Sequence, residues 1–110
     1  MSHAYSTAES RRAPREAVDC QTHIHPARHS PAEALIVNIS PYGCMLRCDC
    51  SVPIGATLTV ELPRVGKVGG IVIWSLGARL GIEFASGIAL DDYLAMLPLM
   101  RASFDGMPLG

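Results

Sequence analysis

The 110-residue chain is poor in aromatic residues, which make up 5% of it. Its core must therefore rest on Val, Ile, Leu, Ala and Met, and it cannot present the interleaved aromatics of a nucleic-acid-binding sheet. No apolar run approaches 18 residues, so no membrane insertion is expected. The first ten residues, MSHAYSTAES, lack an apolar segment of the secretory kind, and a cytoplasmic location with free thiols is expected. Net charge is only −1, which excludes a surface that is a polyanion footprint throughout. The chain also lacks a glycine-rich phosphate loop, a metal-protease helix and a glycine two residues before Ser40, so no catalytic residue is assigned and an enzyme is not expected.

What is present is 49% apolar residues, enough for one compact domain. Residues 1–16 are polar and aperiodic and read as a flexible arm. Three of the chain's nine Lys and Arg, namely Arg11, Arg12 and Arg15, fall in it, and no lysine accompanies them. Arginine offers a planar fork for phosphate or for guanine O6 and N7, which lysine does not.

From residue 17 the pattern alternates with period two. In VDCQTHIH, Val18, Cys20, Thr22 and Ile24 face one way and His23 and His25 the other. AEALIVNIS places Leu35, Val37 and Ile39 opposite Ile36, Asn38 and Ser40. GCMLRCDC forms a third strand with Cys44, Leu46, Cys48 and Cys50 on one face. TLTVEL, VGGIVIW and RLGIEF complete six, with a bulge expected at Gly69-Gly70 and Trp74 on the side of Val72. A helix is expected over ALDDYLAMLPLMRASF from the recurrence of Leu90, Leu94, Leu97 and Phe104, with an interruption or kink near Pro98. The expected architecture is all-β: a six-stranded antiparallel, Greek-key-like barrel over 17–86, preceded by the arm and followed by a helix and tail over 87–110. The helix is expected to pack on the barrel; a partner or homodimer surface is the second reading.

Cysteine and histidine do not converge on a metal in this pattern, because Cys20 faces away from His23 and His25, whereas zinc needs four converging ligands. Cys48 and Cys50, two apart on one strand, are expected to be small core residues rather than a disulfide.

Two patterns remain, in order: Arg11-x-x-x-Arg15 before the first strand, and Asn38-x-Ser40-x-x-Gly43 across the second strand and its turn. The second alone recurs by chance in ~5% of chains of this length. Together with IVIWSLGARLGIEF, they make residues 10–86 resemble the PilZ domain family, which binds the bacterial second messenger cyclic di-GMP. The resemblance implies a receptor or adaptor without a cofactor, which signals to a protein effector. Arg11 and Arg15 then correspond to the arginines that hold guanine and phosphate, with Arg12 contributing. Asn38 and Ser40 correspond to the polar pair on the barrel, Gly43 to the glycine of close backbone approach, and Trp74 to an aromatic beside the ligand. Ser10 stands where members that bind a stacked ligand dimer carry a further arginine, which favours a single bound molecule. Glu16 departs from what an anion site wants. The rival within this fold is an interaction module that does not bind cyclic di-GMP.

Overall fold

The computed structural model describes residues 13–105, with side chains through Arg101. Six strands, β1 (Glu16–Pro26), β2 (Ala32–Ser40), β3 (Gly43–Arg47), β4 (Thr57–Leu62), β5 (Gly66–Leu76) and β6 (Arg79–Phe84), are followed by one helix, α1 (Leu90–Asp105). All pairings are antiparallel and the sheet closes in the order β1-β2-β3-β6-β5-β4. The expected six-stranded barrel with a C-terminal helix is thus what the chain forms.

The lumen is aliphatic, as the scarcity of aromatics requires. Ile24, Ile36, Leu46, Val60, Leu80 and Ile82 are all at most 1% exposed. Burying each such side chain contributes roughly 1.5–3 kcal/mol. In β4 and β6 the alternation reads through without a break: Leu58, Val60 and Leu62 are buried, as are Leu80, Ile82 and Phe84.

Elsewhere the alternation breaks, and each break moves a side chain. In β2 the pairing with β3 shifts between Ile36 and Asn38, so Val37 is an inserted residue. Ile36 and Ile39, three apart, are both fully buried, and the expected grouping of Leu35 and Val37 with Ile39 fails. In β5 the expected bulge at Gly69-Gly70 is absent. Gly69 and Gly70 pair in regular register with Thr59 and Leu58. Gly70 serves close approach instead, since a Cβ there would lie 2.7 Å from Ile82 Cγ2 and 2.8 Å from the Glu83 carbonyl oxygen. The β5 bulge lies between Val72 and Trp74, with Ile73 inserted. Val72 therefore points into the lumen while Trp74 lies on the outer wall, a correction to the side expected for the indole.

Strand β3 ends at Arg47 rather than Cys50, because the chain bends through Cys48-Asp49-Cys50 and brings the two sulfurs together as a disulfide. That pairing corrects the expectation of separate core thiols.

Helix α1 runs through Pro98 without interruption. Side chains on both sides of the proline, Met96, Leu97 and Met100, are buried with Tyr93, and their packing holds the helical path across the missing N–H. Leu90 and Leu94, expected on the inward stripe, are exposed. The helix packs against β1, which pairs with β4 only at its far end, Ile24–Pro26. Helix α1 thus covers the part of β1 that β4 leaves open.

Candidate functional site

The site begins where β1 begins. Arg15 precedes the strand and is exposed; its Nη1 donates to Asn38 Oδ1 at 3.0 Å. Those two residues are 23 apart in sequence, and strand pairing brings them together: Ala17 lies opposite Asn38. The inserted Val37 turns the Asn38 amide onto the outer wall while leaving Ile39 inward.

From Asn38 a single row of cross-strand neighbours crosses the outer wall. Asn38 pairs with Met45, Met45 with Gly81, and Gly81 with Trp74. Directly opposed residues share a face, so this row is a shelf with an amide at one end and an indole at the other. Three strand spacings of about 4.8 Å separate those end positions, roughly 14 Å. The indole closes part of that span by lying over Gly81, where an added Cβ would clash with its Nε1 and Cε2. The second bulge, at Ile73, sets Trp74 in this row.

Ser40 does not stand on this shelf. It is 1% exposed, and its Oγ accepts the Tyr42 N–H at 3.1 Å, a local turn-forming bond. Gly43 pairs with Ser40 and Glu83, and a side chain there would clash with the Ile82 carbonyl oxygen. Its φ is not positive, so its role is close approach of β3 to β6 rather than turn geometry. Arg11 and Arg12 lie outside the described residues.

Helix α1 braces the same region from behind. The Tyr93 hydroxyl donates to the Ile39 carbonyl oxygen at 3.0 Å, between Asn38 and Ser40. Burial, and then the Glu16 carboxylate, push the Tyr93 phenol above its usual range, so it stays a donor. Glu16, the residue that departs from an anion site, is held by Arg101: Nη2 donates to Glu16 Oε1 at 2.5 Å. Its carboxylate is thus occupied by the helix while Arg15 turns to Asn38. Met45, Gly81, Tyr93 and Arg101 were not singled out in the sequence. Only register or tertiary packing links them to the motif, and neither leaves a local mark.

The neighbouring histidines serve differently. His25 Nε2 donates to Glu61 Oε2 at 2.5 Å, and this hydrogen bond, first among the causes, lowers the Glu61 carboxyl below its usual range. A concavity of about 560 Å³ lies farther along β1–β3, lined by residues that include Gln21, His23, Glu33 and Arg47. The shelf itself is open.

The fold is a closed antiparallel barrel whose outer wall carries an arginine–amide pair at one end of a row and an indole at the other. The family model of the PilZ domain matches residues 9–97, and the chain belongs to that family, whose members are generally cyclic di-GMP-binding adaptors. Comparison with curated proteins gives no match. No helix among the described residues is long and apolar enough to cross a membrane.

Proposed function

We propose that the domain binds cyclic di-GMP on the outer shelf and passes the bound state to a protein effector. The observation that carries this reading is the Arg15–Asn38 hydrogen bond, which joins the second arginine of one motif to the first residue of the other. The ligand brings two phosphate charges and two guanines. The Arg15 fork suits guanine O6 and N7 or a phosphate, and its bond to Asn38 holds it over the wall. The Asn38 amide supplies a donor and an acceptor to a base edge. The Trp74 indole offers a face for stacking, and Arg11 and Arg12 add charge from the arm. Ser40 and Gly43 act through the backbone, shaping the turn and letting β3 approach β6. With no motif for chemistry in the chain, the output is a changed surface near the arm and α1.

An affinity near micromolar, ~−8 kcal/mol, suits a site built from a few arginine, amide and stacking contacts. Titration calorimetry with cyclic di-GMP, against GMP as control, tests the reading. Arg15→Ala is expected to cost ~1–3 kcal/mol, roughly ten- to hundredfold in Kd. Unchanged binding by that variant removes Arg15 from the site. No binding by the parent chain leaves the interaction-module reading.

A further inference from the structure

The bend after β3 is unused by the shelf. We propose that Cys48 and Cys50 form a reversible thiol–disulfide site, oxidised by peroxides or small-molecule disulfides while the barrel stays folded.

Geometry comes first. The two Cα atoms are 5.4 Å apart, inside the bridging range of roughly 4.4–6.8 Å, and the sulfurs are already paired. Only Asp49 separates them in sequence, so the pair needs no rearrangement of distant elements. The same closeness limits what the bond does for stability. A ring this short removes little chain entropy from the unfolded state, in contrast to a bridge between distant strands. Both cysteines lie beyond the end of β3, outside all six strands, so the bond can open and close without breaking a strand pairing.

Selectivity follows from position. Cys20 and Cys44 point into the lumen and are buried. Burial pushes the Cys44 thiol up to about 12 and raises that of Cys20, which keeps both in the unreactive protonated form. Cys50 is half-exposed and open to a small oxidant, whereas Cys48 is 5% exposed beside it. The Cys50 N–H donates to Cys48 Sγ at 3.3 Å, which holds the two residues together at the bend. With a peroxide, the Cys50 thiolate attacks one oxygen and the O–O bond breaks, giving a sulfenic acid and a leaving hydroxide. The Cys48 thiolate then attacks that sulfur and displaces the second hydroxide. Both hydroxides take up the protons lost by the thiols, so two thiols and one hydrogen peroxide give one disulfide and two waters.

The site is also placed to be felt. Cys48 N–H donates to the Ala78 carbonyl at 2.8 Å, which ties the bend to the β5–β6 turn. Cys48 and Asp49 line the groove of Gln21, His23, Glu33 and Arg47, and Arg47 is two residues along β3 from Met45 of the shelf.

The full chain, reduced and desalted, would be treated with equimolar hydrogen peroxide or oxidised glutathione. Thiols would be counted in denaturant and the product mapped by peptide mass. The expected result is a fall from four thiols to two, with the link mapped within the peptide carrying Cys48 and Cys50. Dithiothreitol restores all four, and the melting curves of the two forms nearly coincide. Cys50→Ser and, separately, Cys48→Ala abolish the internal link. Four persisting thiols, oxidation mapped to Cys20 or Cys44, a link between chains, or unfolding on reduction each overturn the proposal. Mapping on the parent chain decides it even if a variant fails to fold.

Discussion

The lumen and the shelf are two faces of the same strands, and they are built on opposite rules. Inside, regular alternation delivers Leu58, Val60 and Leu62 or Leu80, Ile82 and Phe84 to one core. Outside, the two ends of the proposed binding shelf sit beside irregularities: Asn38 follows the inserted Val37, and Trp74 follows the inserted Ile73. A bulge lets a strand satisfy the core on both sides of itself while re-aiming one side chain outward. Regularity makes the barrel, and its exceptions shape the outer wall.

The comparison breaks if lumen and shelf substitutions have the same effects. Ile36→Ala, deep in the lumen, is expected to cost about 2–5 kcal/mol of stability, measured by chemical denaturation, with ligand affinity of the folded protein retained. Gly81→Ala should cost less, about 1–3 kcal/mol, yet displace the indole and weaken ligand binding. Trp74 is the only tryptophan, so its fluorescence reports that displacement directly, and an unchanged spectrum refutes the stacking of indole on Gly81.

The helix brace sharpens the contrast further. Tyr93→Phe removes the donor to the Ile39 carbonyl and is expected to cost about 0.5–1.5 kcal/mol, with a larger proportional effect on ligand binding than any lumen change. A melting temperature and affinity both equal to the parent's show that α1 merely covers the wall.

The smallest effect belongs to the His25–Glu61 pair. The folded carboxyl lies below its ordinary value of 4.5, so its contribution is present above that pH and is lost as pH falls through the lowered folded value. The group is exposed and screened, so the expected signal is a small stability difference between the parent and Glu61→Gln that is present at neutral pH and fades as pH falls through the lowered folded value. A difference that grows on acidification contradicts the sign.

Much of the fold is written in the chain, and where it is not, the reason is physical. Strands β4 and β6 could be assigned face by face because nothing interrupts them. The bulges could not, since Val37 and Ile73 are themselves good strand residues, and an insertion exists only relative to a partner strand. Two glycines at 69 and 70 suggested the wrong place for the β5 bulge, because glycine serves close approach as well as bending. The inward face of α1 was read correctly at Leu97 but not at Leu90 and Leu94, because Tyr93, Met96 and Met100 take the places the leucine spacing suggested. Of the shelf, the order of the two motifs brought Arg15 and Asn38 into one hypothesis, and the structure places them 3.0 Å apart. Ser40 looked like a second outward polar group, but its hydroxyl is spent on the turn. Met45 and Gly81 are joined to Asn38 and Trp74 by register alone.

The closure of the barrel has a consequence for how the domain is read by others. Each strand has a neighbour on both sides, and the part of β1 that β4 leaves open is packed against α1. Among the described residues a partner peptide therefore finds only short unpaired stretches, such as β5 beyond Val72 on its β4 side, and little backbone is open to pairing. Recognition of the described barrel thus falls mainly to side chains, whose charge and position can change without unzipping a single strand.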